Sequence, residues 1–154
     1  MQRSHQDARI YDGIEALLKT VTPEGCRIFH ANMPLQVMDQ LQRESAQLCT
    51  YLVQSDVIRR NSSGATPVHE VTIEVSFYGS LADVDDMASD LNALLVGNEI
   101  EAQGWRFCLY PAPQTGKRDI WEPRIQVKRE WLQFRGFAIE PDETQEETWH
   151  TSSI

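Results

Sequence analysis

The sequence has no apolar run long enough to cross a bilayer. Its longest clean runs, Ala93 to Val96 and the pieces between Leu48 and Val53, fall far short of the ~18 residues a span requires. The opening stretch Met1 to Asp7 is polar and lacks the apolar core of a secretory signal, so no targeting segment and no membrane partner are expected. Cysteine is scarce. Cys26, Cys49 and Cys108 are odd in number, far apart and without a C-x-x-C pair, which argues against a disulfide framework and a zinc knuckle. A reducing cytoplasm is the expected setting, with each thiol acting as a small hydrophobe. Positive charge is also short, at 14 Lys and Arg against 23 Asp and Glu for a net charge of -9. A protein that grips duplex DNA through a broad basic footprint normally leans the other way.

Motifs for chemistry are equally thin. The four histidines, His5, His30, His69 and His150, include no i, i+4 pair with another ligand, so a helical metal site has no support. Asp83, Asp85, Asp86 and Asp90 crowd together but lack the glycine and distal Glu of a calcium loop. Gln114 to Arg118 has the Gly-Lys of a phosphate loop, yet Pro111 stands at the first glycine position and Arg118 where Ser or Thr would hold magnesium. There is no G-x-S-x-G. No catalytic residue, cofactor or metal is expected.

The chain has 154 residues, 41% of them hydrophobic and 24% charged, enough for one domain that buries roughly 68–70% of its unfolded surface. Ile10, Ile14, Leu17, Leu18 and Val21 fall on one helical stripe and predict a helix from about Gln6 to Thr20, with Ser4 and Asp7 at capping-box spacing. A short strand is expected from Cys26 to Ala31, a weak helix among glutamines from Leu35 to Leu48, and a strand from Thr50 to Ile58. The sharpest signal is the alternation of Val71, Ile73, Val75 and Phe77 with Thr72, Glu74, Ser76 and Tyr78, which sends one face to the core and the other to solvent or a partner. A second helix spans about Leu81 to Val96, with Ser80 as its cap and Gly97-Asn98 as its exit. Trp105 to Tyr110 alternates as a strand, and Arg124 to Ile139 reads as one or two more. The apolar phase changes between Arg129 and Phe134, predicting a bulge or strong twist near Trp131.

The organisation is thus a single α+β domain over residues 1–139, followed by an acidic tail, 140–154, that carries five acids and no Lys or Arg. Two polar stretches, Arg59 to Pro67 and Pro111 to Pro123, read as long exposed loops. They supply the candidate partner-contact residues Arg59, Arg60, Lys117, Arg118 and Trp121.

In element order the chain resembles the tail terminator, or tail completion, proteins of long-tailed bacteriophages. The resemblance runs over most of residues 6–139. Its carriers are the opening helix Ile10-Tyr11-Asp12-Gly13-Ile14-Glu15-Ala16-Leu17-Leu18-Lys19, the strand from Thr50 to Ile58, the polar loop, the alternating strand Glu70 to Tyr78, the helix Asp83 to Leu95, and closing strands that end in Phe134-Arg135-Gly136-Phe137-Ala138-Ile139. It implies a mixed, mainly antiparallel sheet flanked by two main helices and no catalysis. It further implies a ring-shaped homo-oligomer, a hexamer, at the head-proximal end of the tail tube, where it ends tube growth and offers a head-joining surface. The implied partners are the tube protein below and a head-tail connector above, with DNA only as passing cargo. The implied location is the top of the tail in the virion, after assembly in the host cytoplasm.

Two other readings compete on residue grounds. A small α+β enzyme or ligand-binding domain would gather His30, His69, Cys49 or Glu130 into one deep pocket. A regulatory or adaptor module would be a monomer or dimer with one exposed apolar groove.

Overall fold

The computed structural model describes residues 2–31, 47–59, 66–112, 117–122 and 127–141. The weak helix expected from Leu35 to Leu48 lies almost wholly outside these residues, as do Arg60 and the tail beyond Pro141.

The apolar stripe of the opening segment forms helix α1 (Gln2–Val21), with Ile10, Ile14, Leu17, Leu18 and Val21 all buried. It starts earlier than the spacing of Ser4 and Asp7 suggests, so both lie inside the helix and neither caps it. Thr22 closes it, its hydroxyl donating to the Leu18 carbonyl at 2.9 Å. The chain then forms β1 (Arg27–His30), β2 (Leu48–Arg59) and β3 (Val68–Gly79), crosses through α2 (Leu81–Leu95), and finishes with β4 (Glu99–Ala102), β5 (Trp105–Pro111), β6 (Lys117–Glu122) and β7 (Val127–Ile139). Ser80 caps α2 as its sequence position predicts, its Oγ accepting from the Asp83 N–H at 3.3 Å. At the other end Gly97 takes φ +75° and the Asn98 side chain donates to the carbonyls of Ala93 and Leu94.

All seven strands join one sheet in the order β1-β2-β3-β7-β5-β4, with β6 also alongside β7. Only β1 and β2 are parallel; every other pair is antiparallel. The fold is α+β, a mixed and mainly antiparallel sheet with two described helices, as the sequence implies. β4 was not legible in the sequence. It forms a two-residue hairpin with β5 through Gln103 (φ +53°) and Gly104 (φ +83°), the double positive φ that such a turn requires.

Two expectations are corrected. β7 pairs with β3 without a break from Val68↔Ile139 to Gly79↔Lys128, so no bulge interrupts that ladder near Trp131. The phase change in its sequence arises because both faces of β7 carry apolar residues, while the small Gly136 and Ala138 fill core positions. The irregularity lies on the other side of β7. Pro111 pairs with Phe134 and Lys117 with Trp131, so the β5–β6 side uses three more residues than β7 over this interval. The second correction follows from this pairing. The stretch Pro111 to Pro123, expected as a projecting loop, holds the end of β5 and the whole of β6, drawn onto the sheet by the free edge of β7.

The helices share one face of the sheet, and the sheet curls around them. Tyr11 of α1 packs against His30 of β1, the tilted rings having centroids 4.1 Å apart. Two residues on, Gly13 faces the Phe107 ring and the Ala102 carbonyl, so both ends of the sheet reach the same stretch of helix. The Tyr51 hydroxyl ties β2 to this helix by donating to Glu15 Oε1 at 2.8 Å. Burial, reinforced by that bond, raises the Tyr51 phenol above its ordinary range. Between helices and sheet lie Tyr51, Phe77, Trp105, Phe107, Phe134, Leu91 and Leu132, each fully buried. Side chains of this size contribute about 1.5–3 kcal/mol apiece by leaving water.

Past β7, Glu140 is held on the body. Its N–H donates to the Pro67 carbonyl at 3.2 Å, and its carboxylate meets His69 Nε2 at 2.6 Å with both side chains nearly buried. Pro141 then lies over Gly104 in the β4–β5 turn.

Candidate assembly surface

Alternation in β3 and β7 sends Val71, Ile73, Val75 and Phe77, with Leu132, Phe134 and Ala138, to the helix side. The same alternation presents the other row on the opposite face, where neither described helix lies. On this open face, register places Leu52 of β2 beside Glu74 of β3 and Gln133 of β7, and Tyr110 of β5 beside Arg135. Phe137 lies beside Cys108.

The face is amphipathic in a specific way. Leu52, Tyr110 and Phe137 are 45%, 53% and 40% exposed, a larger apolar display than a solvated sheet face needs. Between them the polar groups bond to one another across the strands. Gln133 Nε2 donates to Glu74 Oε1 at 3.2 Å, and Arg129 Nε donates to Ser76 Oγ at 3.2 Å while its guanidinium lies 6.0 Å from the Tyr78 ring. Arg106 meets Glu99 at 3.6 Å on the β4–β5 side. A shallow depression of about 270 Å³ opens among Leu52, Glu74, Ser76, Tyr78, Arg129 and Trp131. Cross-strand bonding of this kind fixes the long polar side chains before any partner arrives, which lowers the ordering cost of association.

The residues singled out in the sequence are dispersed. Arg59 ends β2 and pairs with Val68 at the start of β3. Lys117 and Arg118 pair with Trp131 and Glu130, which pair in turn with Ser76 and Phe77 near the end of β3. At ~3.3 Å per residue this offsets them from Arg59 by about 26–30 Å along the strand direction. Trp121 belongs to β6, and Arg60 lies outside the described residues.

The pocket required by the enzyme reading is not assembled. His30 packs against Tyr11 and Tyr51. His69 pairs with Val57, two strands away from β1 and six residues from His30's row. Glu130 is eight positions along β7 from Ala138, the partner of His69, roughly 26 Å away. Cys49 is fully buried, and burial pushes its thiol well above its ordinary value; burial lifts the Cys26 thiol to about 11. A second hollow of about 330 Å³ between the C-terminal end of α1 and the start of α2 is walled by Asp83, Asp86 and Asp90. Gln47, then Ser80, hold the Asp83 carboxyl below its usual range by hydrogen bonding. Among the described residues, no three His, Cys, Asp or Glu side chains are grouped to hold a metal ion.

Sequence reasoning missed Leu52, Tyr110 and Phe137. For Phe137 the signal is present in the second apolar phase of β7, which reads as a bulge only if one face is assumed to be wet; Leu52 and Tyr110 carry no such mark.

No protein-family model matches the chain, and no curated protein does. Among solved structures, the chain is structurally similar to a component described as "Virion of native gene transfer agent (GTA) particle", with a TM-score of 0.44 and 20% identity over 86% of this chain and 92% of that chain.

Proposed function

We propose that this protein is a structural virion protein of the tail terminator type, which assembles through its open sheet face into a ring at the head-proximal end of a phage tail tube, ends tube growth and offers a surface for head joining. The observation that carries the reading is that face: exposed Leu52, Tyr110 and Phe137 set among cross-bonded polar residues, on the side of the sheet that neither described helix covers. The element order on which the resemblance rests is present throughout, from α1 through β3 and α2 to β7. Net acidity is compatible with a ring that lets DNA pass, because a chain at -9 makes few of the phosphate contacts that would hold it. A heterologous contact that closes on itself gives a ring, with the tube protein as its partner below and the connector above.

The test is tube growth. Tube protein polymerised with this chain should give tubes of bounded length carrying a ring of extra density at one end in electron micrographs. Tubes of unchanged length with bare ends would refute the role.

A further inference from the structure

We infer that the sheet continues from one copy of the chain into the next, with β4 of the first pairing in parallel with β1 of the second. The two strands are the ends of the sheet, and each is four residues long. Their outward backbone groups follow from the inward ones. The Arg27 and Ala31 N–H groups donate to the carbonyls of Gln47 and Tyr51, so Ile28 and His30 turn their N–H and C=O away from β2. The β4–β5 hairpin closes on Ala102 and Trp105, so Glu99 and Glu101 are the residues of β4 that turn outward. Among the described residues nothing pairs with either edge. The edges cannot pair within one chain. They touch α1 through His30 against Tyr11 and Ala102 beside Gly13, positions about 200° apart around the helix. A helix about 10–12 Å across thus stands between strands that would have to lie about 4.8 Å apart.

Direction and facing agree. β1 and β2 are parallel, and each step from β2 through β3, β7 and β5 to β4 reverses the chain, so β4 runs the same way as β1. A second copy in the same orientation therefore brings its β1 to β4 as a parallel neighbour. Parallel pairing sets a residue whose backbone faces the junction opposite one whose backbone faces away, with both side chains on one face. Ile28 then lies opposite Ile100, and both already pack against the core. The same register sets Arg27 opposite Glu99, Phe29 opposite Glu101 and His30 opposite Ala102. In it the Ile28 N–H donates to the Glu99 carbonyl, the Glu101 N–H to the Ile28 carbonyl, and the His30 N–H to the Glu101 carbonyl.

Charge selects the partner. Arg27 and Glu99 are both exposed, and opposite charges across strands stabilise the pair, whereas two β4 edges together would set glutamates against glutamates. The Arg27 guanidinium already lies along its own strand, 5.2 Å from the Phe29 ring. Glu99 meets Arg106 at 3.6 Å with both side chains 53% exposed, an ion pair of a kind that contributes little. The junction is head-to-tail, the type of contact that closes into rings. The pairing stands on the two edges; its closure into a ring rests on the assembly proposed above.

Cysteine trapping between two full-length chains tests it. One carries Phe29→Cys/Cys108→Ser and the other Glu101→Cys/Cys108→Ser, with circular dichroism reporting that both fold. Cys26 and Cys49, whose thiols are raised by burial, react poorly. Mild oxidation of the mixture should give the mixed disulfide in several-fold excess over either chain bonded to itself. Adding Arg27→Glu to the first chain should cut that yield several-fold, and Glu99→Arg in the second should restore it. If Phe29→Cys fails to fold, Arg27→Cys with Glu99→Cys, at exposed positions of the same register, takes its place. No mixed disulfide, bonded species in statistical proportion, or a yield indifferent to charge reversal would each overturn the pairing. Tubes of bounded length without a mixed disulfide would remove the pairing and leave the proposed role standing. A mixed disulfide beside tubes of unchanged length would establish the pairing and refute the role.

Discussion

The two faces of the β3–β7 pair carry apolar residues in nearly equal size but spend them differently. On the helix side Phe77, Leu132 and Phe134 are fully buried, with the buried Glu130 directly beside Phe77. On the other side Tyr78, Trp131 and Phe137 alternate with Arg129, Gln133 and Arg135, and the polar groups bond across strands to Ser76 and Glu74. The first arrangement gains its stability from leaving water when the chain folds. The second leaves its apolar area partly in water, where it adds less to folding and is available to the proposed association. On the proposed assembly, one ladder separates folding from association, and substitutions on its two faces should separate them too.

The largest effect is expected from Phe134→Ala. Phe134 is wholly buried between Ile73 and the helices, and truncation there should cost about 3–5 kcal/mol in urea unfolding of the isolated chain. Gly136→Ala follows. A Cβ at Gly136 would collide with the Cys108 carbonyl on β5, so the β5–β7 ladder must open. A cost of about 1–3 kcal/mol is expected, read as a lower denaturation midpoint. Ser80→Ala removes the α2 cap and should cost about 1 kcal/mol. It also removes one of the two bonds that hold the Asp83 carboxyl low. That carboxylate contribution is complete above the ordinary value of 3.8 and is lost as pH falls through the lowered one, so the gap between variant and parent should narrow in acid. The smallest effect on folding belongs to the open face. Phe137→Ser, at a position 40% exposed, should change the stability of the isolated chain by no more than about 0.5 kcal/mol while weakening assembly. If it destabilised the monomer as Phe134→Ala does, the division between the two faces would fail.

What could be read from the sequence follows the same division. β3 and α2 were legible because each has one apolar face and one polar face, the pattern that periodicity detects, with Ser80 and Gly97-Asn98 marking the ends of the helix. The sequence of β7 reads as one or two strands with a bulge or strong twist near Trp131, and no bulge interrupts its ladder with β3. Two apolar rows on one strand look like a change of phase, and only the pairing with β3 shows that both phases run the whole length. β6 was hidden for another reason. Lys117-Arg118-Asp119 has a loop-like composition, and it becomes a strand because β7 offers an unpaired edge. The partner-contact candidates were chosen by charge and composition, which say nothing of position. The structure puts Arg59 and the Lys117-Arg118 pair at opposite ends of the sheet. The first residue of the acidic tail was also unreadable, since Glu140 looks like its neighbours until His69 is seen beside it.

The central claim is that the open face is an assembly surface, and sedimentation velocity over a range of concentrations measures it most directly. The parent chain, with tube protein present where needed, should form one closed species of ring size. Leu52→Glu/Phe137→Glu should sediment as a folded monomer under the same conditions. A parent chain that remains strictly monomeric at every concentration and with tube protein, or a double variant that assembles as well as the parent, would contradict the account.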